Sequence, residues 1–207
     1  MKTIKLIVCV LLVLILIRFA FRRLFNLPHY NGVLLADSSG NLNLMSESMF
    51  WSIIDETGRG SGANYERQCV RLTAKLASMS SEEIVQFNRT LSTLMSKSYS
   101  FKLWEAVYAM NWGASDDMFE YFRTWLIAQG KNKFYHTLKN PRLLLLTGVK
   151  EIVQNYEGMA YCANQAYQNK TGWELPHADG ILRIDPGTMF KEGEAFLRYP
   201  ELALLAW

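Results

Sequence analysis

The sequence predicts an all-α protein, a single compact multi-helix domain preceded by one N-terminal transmembrane helix. Three observations support this fold class. Apolar residues recur with helical spacing after residue 46, and no stretch has the sustained alternation that is typical of β-strands. Apolar residues make up 50% of the 207 residues, which is enough for a sizeable core and excludes a disordered or collagen-like chain. A long apolar run lies near the amino terminus.

The amino-terminal segment has the composition of a membrane anchor. Residues 6–17 are all apolar, and residues 4–21 are apolar except for Lys5 and Arg18 near the two ends. As a helix, residues 4–21 span roughly 27 Å, close to the ~30 Å hydrocarbon core of a bilayer. A cleaved signal peptide is the alternative, but no small-x-small cleavage site follows the run. We therefore expect residues 1–25 to be an uncleaved anchor that places residues 4–21 in the lipid bilayer.

The positive charge of the chain belongs to this anchor. The 22 Lys and Arg residues and the 19 Asp and Glu residues give a formal net charge of +3. Five of the basic residues and none of the acidic ones lie in residues 1–25, so the rest of the chain carries −2. Because no dense basic run follows residue 25, we expect no nucleic-acid partner. Basic residues flank the run on both sides, and Arg22 and Arg23 favour a cytoplasmic over a periplasmic body.

Residues 26–45 are predicted to be a linker, and residues 46–207 the helical domain. The linker contains Pro28 and several turn-forming residues. Met45 and Met49 are alternative start positions for the domain alone.

Polar residues that cap helices mark several predicted helix starts. We expect N-caps at Ser48, Asn64, Ser80 and Ser115, and Ser80 with Glu83 forms a capping-box pattern. Further helices are predicted over residues 101–112, over residues 150–169 and, as a short element, from residue 140. The helix after Ser115 is expected to end near Gly130, and the tail to be loop with one or two short helices. These elements make six to eight helices.

The sequence contains no motif for a metal, a cofactor or a nucleophile. Its three histidines are far apart and have no Cys or carboxylate partner at ligand spacing, so we expect neither a metal nor a cofactor. No nucleophile elbow or phosphate-binding loop is present. Cys69 and Cys162 fall in helical patterns and are predicted to be core residues or, in an oxidising compartment, a disulfide.

One stretch collects polar and aromatic residues that are candidates for function. The candidate cluster consists of Trp104, Glu105, Ser115, Asp116, Asp117, Arg123 and Trp125. In one hypothesis, Asp116 or Asp117 acts with Arg123 as the acid–base machinery of a hydrolase. In the favoured alternative, the residues at 115–117 cap a helix, and Arg123 pairs with Glu120 or with a carboxylate on a neighbouring helix. Trp112, at a helix end, lines an exposed groove in a weaker interpretation.

The same stretch resembles a bacterial family. Residues 50–54, 103–106 and above all 113–130, which run from Gly-Ala-Ser-Asp-Asp to Trp-Leu-Ile-Ala-Gln-Gly, are similar to domain-of-unknown-function family 4240. Residues 166–172 and 198–202 are similar to its tail, so the resemblance covers roughly residues 49–205. It implies a soluble bacterial helical domain whose function is not established, and it supplies no catalytic residues.

Together these observations predict a domain tethered to the bacterial inner membrane by a single-pass anchor. The aromatic-rich body without a catalytic motif is expected to be a non-enzymatic protein-binding module. An immunity protein that holds a toxin at the membrane is one version of this hypothesis, and it rests on architecture alone. The hydrolase that uses Asp116 or Asp117 with Arg123 is the alternative.

Overall fold

The computed structural model describes residues 43–59, 61, 64–146, 158–178 and 184–204. These residues form α-helices and one 3₁₀ helix and contain no strand, which confirms the all-α class and the multi-helix domain. The helices are α1 (Glu47–Gly58), α2 (Tyr65–Ala77), α3 (Ser81–Ser98), α4 (Phe101–Asn111), α5 (Asp116–Ala128), α6 (Lys131–Lys139), the 3₁₀ helix (Pro141–Leu146), α7 (Gly158–Thr171), α8 (Glu192–Arg198) and α9 (Pro200–Ala203).

The predicted anchor over residues 1–25 and most of the predicted linker over residues 26–45 lie outside the described residues. Among the residues that are described, no helix has both the length and the apolar composition needed to cross a bilayer. The described end of the predicted linker, residues 43–45, is packed against α3. Met45 is 4% exposed, and its backbone N–H donates to Thr90 Oγ1 at 3.0 Å. Residues 43–45 therefore contribute to the helical domain.

Helix α5 is the centre of the domain, because it packs against α1, α3, α6 and α7. Most of its side chains are buried, including Phe119, Phe122, Trp125, Leu126 and Ile127. A second group of helices, α4, α8, α9 and the 3₁₀ helix, packs together, and α6 contacts both the 3₁₀ helix of this group and α5. Aromatic side chains fill much of the core, where ring pairs add about 0.5–1.5 kcal/mol beyond their buried area.

Side-chain capping explains why most helix starts were predictable. Asn64, Ser80 and Ser115 each accept a hydrogen bond from the backbone N–H three residues ahead, and Ser80 and Glu83 complete a capping box. The predicted cap at Ser48 is wrong. Ser46 is the N-cap of α1 instead, since its Oγ accepts from Met49 N–H at 3.3 Å and Ser48 lies inside the first turn.

Helix α6 was not predicted from the sequence. It begins directly after Gly130, which lies two residues beyond the end of α5 and has a φ of 90° and a ψ of 168°. Its N-terminus has no side-chain cap, and its polar sequence contributes only Phe134, Tyr135 and Thr137 to the core. Within the described chain, the segment therefore lacks both sequence signals of a helix, a cap and a long apolar stripe.

Helices α2 and α7 form the most extensive helix pair of the described chain. The predicted helix over residues 150–169 is described from Gly158 onward, and residues 150–157 lie outside the described residues. Cys69 on α2 and Cys162 on α7 face each other across this pair as free thiols. The tail contains the short helices α8 and α9, as predicted.

Candidate functional site

The N-terminus of α5 carries three of the candidate residues. The Ser115 hydroxyl accepts a hydrogen bond from the backbone N–H of Met118 at 3.2 Å. Asp116 and Asp117 lie in the first turn with exposed side chains. Their negative charges interact favourably with the positive end of the helix dipole. This geometry supports a capping role for the three residues. The hydrolase hypothesis stays a prediction, to be tested by activity of an Asp117→Asn variant.

Arg123 lies two turns further along α5 and is 7% exposed. Its guanidinium carbon is 5.0 Å from the ring centroid of Tyr99 and 5.1 Å from that of Phe119. Its Nη1 donates to the backbone carbonyl of Met95 at 2.8 Å, and its Nε has no hydrogen-bond partner. Burial lowers the pKa of Arg123, while Glu120 opposes this shift.

The sequence predicted the wrong partner for Arg123. Among the described residues it forms no ion pair with Glu120 or with a carboxylate of a neighbouring helix. Instead, the guanidinium contacts one main-chain carbonyl and two aromatic rings. The cation–π attraction between the guanidinium and the rings is strongest where water is excluded. Arg123 therefore ties α5 to the end of α3 and to the start of the loop after it.

Trp104 joins the same aromatic cluster from α4. Its ring stacks on Phe119 with a centroid distance of 5.0 Å and an interplanar angle of 10°. Its Nε1 donates to the Ala114 carbonyl at 3.0 Å, just ahead of Ser115. Trp104 thus fixes the loop that leads into α5 and brings α4 beside the cap.

Trp125 lies deeper in the core than the other candidate residues. It is 1% exposed, and its Nε1 donates to the Tyr65 hydroxyl at 2.8 Å, which links α5 to the start of α2. A buried Trp whose N–H has found a partner is typical of a core position. Trp125 is therefore a packing residue of the central helix.

Glu105 follows Trp104 in sequence but faces the carboxyl-terminal helices. It is 1% exposed, its Oε2 lies 3.3 Å from Arg198 Nη1, and its buried Oε1 has no hydrogen-bond partner. Burial raises the pKa of the Glu105 carboxyl, Arg198 opposes this shift, and Glu194 adds to it. Successive helix residues point about 100° apart, so Trp104 and Glu105 belong to two different sets of contacts.

The structure also places apolar side chains in solvent at Trp112 and next in sequence to Phe196 and Ala203, the two residues that contact Trp112. Trp112 is 57% exposed, and Leu197 and Leu204 are 82% and 72% exposed. The Trp112 ring packs on Phe196 at 5.1 Å, and its Nε1 donates to the Ala203 carbonyl at 3.0 Å. We call Trp112, Phe196, Leu197 and Leu204 the carboxyl-terminal patch.

Trp112 has an unusual backbone conformation for its residue type. Its φ of 54° and ψ of 33° lie in the left-handed region, which a non-glycine residue adopts at a cost of about 1–2 kcal/mol. Gly113 directly follows it and also has a positive φ. The chain therefore holds a large aromatic residue at a position where glycine is the usual choice. In the sequence, the position of Trp112 at a helix end was the one feature that indicated a role outside the core.

In the part of the chain that the structure describes, no group of three or more His, Cys, Asp or Glu side chains is arranged to hold a metal ion. The predicted candidate residues lie in four places: Ser115, Asp116 and Asp117 at the N-terminus of α5, Arg123 and Trp104 against Phe119, Trp125 in the core, and Glu105 beside Arg198.

Comparison with known proteins identifies the family. No curated protein and no solved structure matches the chain. A family model described as "Protein of unknown function (DUF4240)" matches residues 45–169, which is more than half of the 207 residues. The match includes the residues 113–130 on which the resemblance mainly rests, and it ends before α8 and α9. The chain therefore belongs to the DUF4240 family.

Proposed function

We propose that this domain is a non-enzymatic protein-binding module whose partner docks on the carboxyl-terminal patch. The observation that carries the proposal is Trp112, a strained and exposed Trp whose indole N–H is already bonded within the protein. Strained backbone conformations concentrate at binding and active sites. Tryptophan is also among the residues most enriched in the energetic centres of protein interfaces.

The patch has the chemistry of an interface centre. Leu197 and Leu204 supply aliphatic surface, and the contact with Phe196 fixes the orientation of the Trp112 ring before a partner binds. A side chain that is already ordered loses little entropy on binding. The expected partner is a separate protein chain that lays aliphatic or aromatic side chains against this surface.

Residues 1–25 anchor the module in the bacterial inner membrane, with the body on the cytoplasmic side. An immunity protein that holds a toxin is one member of this functional class, and a toxin gene beside this gene would support it. Cell fractionation tests the anchor: the full chain should sediment with membranes, and a chain without residues 1–25 should not.

Photocrosslinking in the native host tests the docking surface. A photoreactive residue is placed at Leu197 or Leu204, and at Trp173 as a control that is 76% exposed on another part of the chain. We expect one protein to be captured from both patch positions and not from the control. Equal capture from Trp173, no capture, or capture only of a second copy of this chain would contradict the proposal.

The captured protein is then purified and its affinity for the full chain is measured. Trp112→Ala is expected to weaken binding about 30-fold, the effect of losing about 2 kcal/mol at an interface centre. Trp173→Ala is the matched control and should leave the affinity unchanged. An affinity that Trp112→Ala does not alter would refute the assignment of the patch.

A further inference from the structure

The groove between α2 and α7 contains both described cysteines. It has a volume of about 550 Å³, and its lining includes Cys69, Thr73 and Ala74 from α2 and Gly158 and Cys162 from α7. This volume is within the usual range for small-molecule sites, roughly 300–1,000 Å³. None of the residues that line the groove belongs to the carboxyl-terminal patch, so the two surfaces are separate features.

The two cysteines lie next to each other where the helices meet. The Cys162 sulfur lies 3.6 Å from the Cys69 carbonyl oxygen and 3.3 Å from the Gly158 carbonyl oxygen, and its interaction with the Cys69 sulfur shifts the pKa values of both thiols. Gly158 also lies beside the Cys69 side chain: a Cβ added at Gly158 would lie 3.4 Å from the Cys69 sulfur, an ordinary van der Waals contact. The pair is therefore built into the contact between the two helices.

The two cysteines differ in exposure and in acidity. Cys69 is half-buried, whereas Cys162 is 3% exposed. The contact with Cys162 lowers the pKa of the Cys69 thiol, although burial and Glu66 oppose this shift. The same contact and burial raise the pKa of Cys162. Because the thiolate is the reactive form of cysteine, Cys69 is the expected nucleophile of the pair.

We propose that Cys69 and Cys162 form a dithiol site that reduces low-molecular-weight disulfides bound in this groove and is itself oxidised to a Cys69–Cys162 disulfide. In the first step, the Cys69 thiolate attacks one sulfur of the small disulfide, a mixed disulfide forms, and the other half leaves as a thiolate. In the second step, Cys162 gives its proton to the departed thiolate and attacks the Cys69 sulfur. The bond between Cys69 and the second small fragment then breaks, and this fragment leaves as a thiolate that takes up the proton released when Cys69 ionised. Two electrons have then passed from the protein to the small disulfide, which is now two thiols.

The positions of the two sulfurs favour attack by Cys69 first and by Cys162 second. Cys69 is the more accessible sulfur, so it meets the small disulfide first. Once Cys69 is a mixed disulfide it carries no charge, and the repulsion that raises the pKa of Cys162 is removed. The neighbouring Thr73 side chain lowers the pKa of Cys162 and so favours its thiolate in this second step.

The proposal is tested with oxidised glutathione on the full chain carrying Cys9→Ser, so that only the described cysteines remain. Mass spectrometry is expected to give a chain that has lost two hydrogens and carries no adduct. With Cys162→Ser added, a stable glutathione adduct on Cys69 should accumulate. With Cys69→Ser added, the adduct on Cys162 should form at least about tenfold more slowly, because that thiol is buried and protonated.

A second measurement does not depend on whether the serine variants fold. The Cys9→Ser chain is alkylated with less than one equivalent of iodoacetamide, and peptide mapping identifies the first residue modified. We expect Cys69. Preferential alkylation of Cys162, or a persistent adduct in the chain that retains both thiols, would overturn the proposal.

Discussion

Trp112 allows the backbone strain at the carboxyl-terminal patch to be measured. We compare Trp112→Gly with Trp112→Ala. Both variants lose the ring contact with Phe196 and the hydrogen bond to Ala203, so these contributions cancel in the comparison. An alanine at a φ of 54° and a ψ of 33° costs about 1–2 kcal/mol that glycine does not incur. The more flexible unfolded chain of the glycine variant offsets about 0.4–1 kcal/mol of this difference.

The glycine variant is therefore expected to be the more stable one by about 0.5–1 kcal/mol. In urea unfolding followed by circular dichroism, this corresponds to a midpoint roughly 0.3–0.5 M higher, for an m-value of about 2 kcal/mol/M. The matched control is Gln165, an exposed residue inside α7. At this helical position the order should reverse, and the free energy of unfolding of Gln165→Ala should be about 1 kcal/mol higher than that of Gln165→Gly. If Trp112→Ala were as stable as Trp112→Gly, the left-handed conformation would not be a source of strain.

Three further substitutions test other contacts. Gly130→Ala should cost about 1–3 kcal/mol in urea unfolding, because only glycine readily adopts its conformation and a Cβ would meet Asp55 Oδ1 at 2.8 Å. Adding Asp55→Ala should recover part of that loss, and full recovery would contradict the backbone argument. The raised pKa of Glu105 means that the folded state favours the protonated carboxyl, so the parent loses stability as the pH rises above the ordinary glutamate pKa of 4.5. Glu105→Gln has no carboxyl to ionise and should lose less stability over the same pH range. A variant whose stability has the same pH dependence as the parent would refute this. Thr90→Val should cost about 1–3 kcal/mol by leaving Met45 N–H poorly bonded, and an unchanged unfolding midpoint would contradict it.

The sequence predicted the helices whose start is marked by a local interaction. An N-cap joins a side chain to a backbone N–H three residues ahead, so the pattern at Asn64, Ser80 or Ser115 is visible without the fold. Helix α6 starts at Gly130 with no such interaction and was missed. At α1 the cap was predicted at Ser48, two residues after Ser46, which is the N-cap in the structure.

The candidate site was less predictable because its contacts join distant parts of the chain. Arg123 donates to the carbonyl of Met95, 28 positions earlier, and a main-chain acceptor leaves no trace in the side-chain sequence. Trp112 bonds to Ala203, 91 positions later, so its exposure depends on how the tail packs. Trp104 and Glu105 are neighbours in sequence that separate into two sets of contacts once they lie on a helix.

The contacts of residues 113–130 change what the family resemblance means for function. Ser115 caps α5, Arg123 holds the end of α3, and Trp125 joins α5 to Tyr65, so each makes a contact that positions the central helix. A block that carries these contacts is expected to mark the scaffold of the family. Binding surfaces must instead be sought among side chains that the scaffold leaves in solvent. By this reasoning, the strained and exposed Trp112 is a better starting point for experiments than the acidic pair beside Ser115.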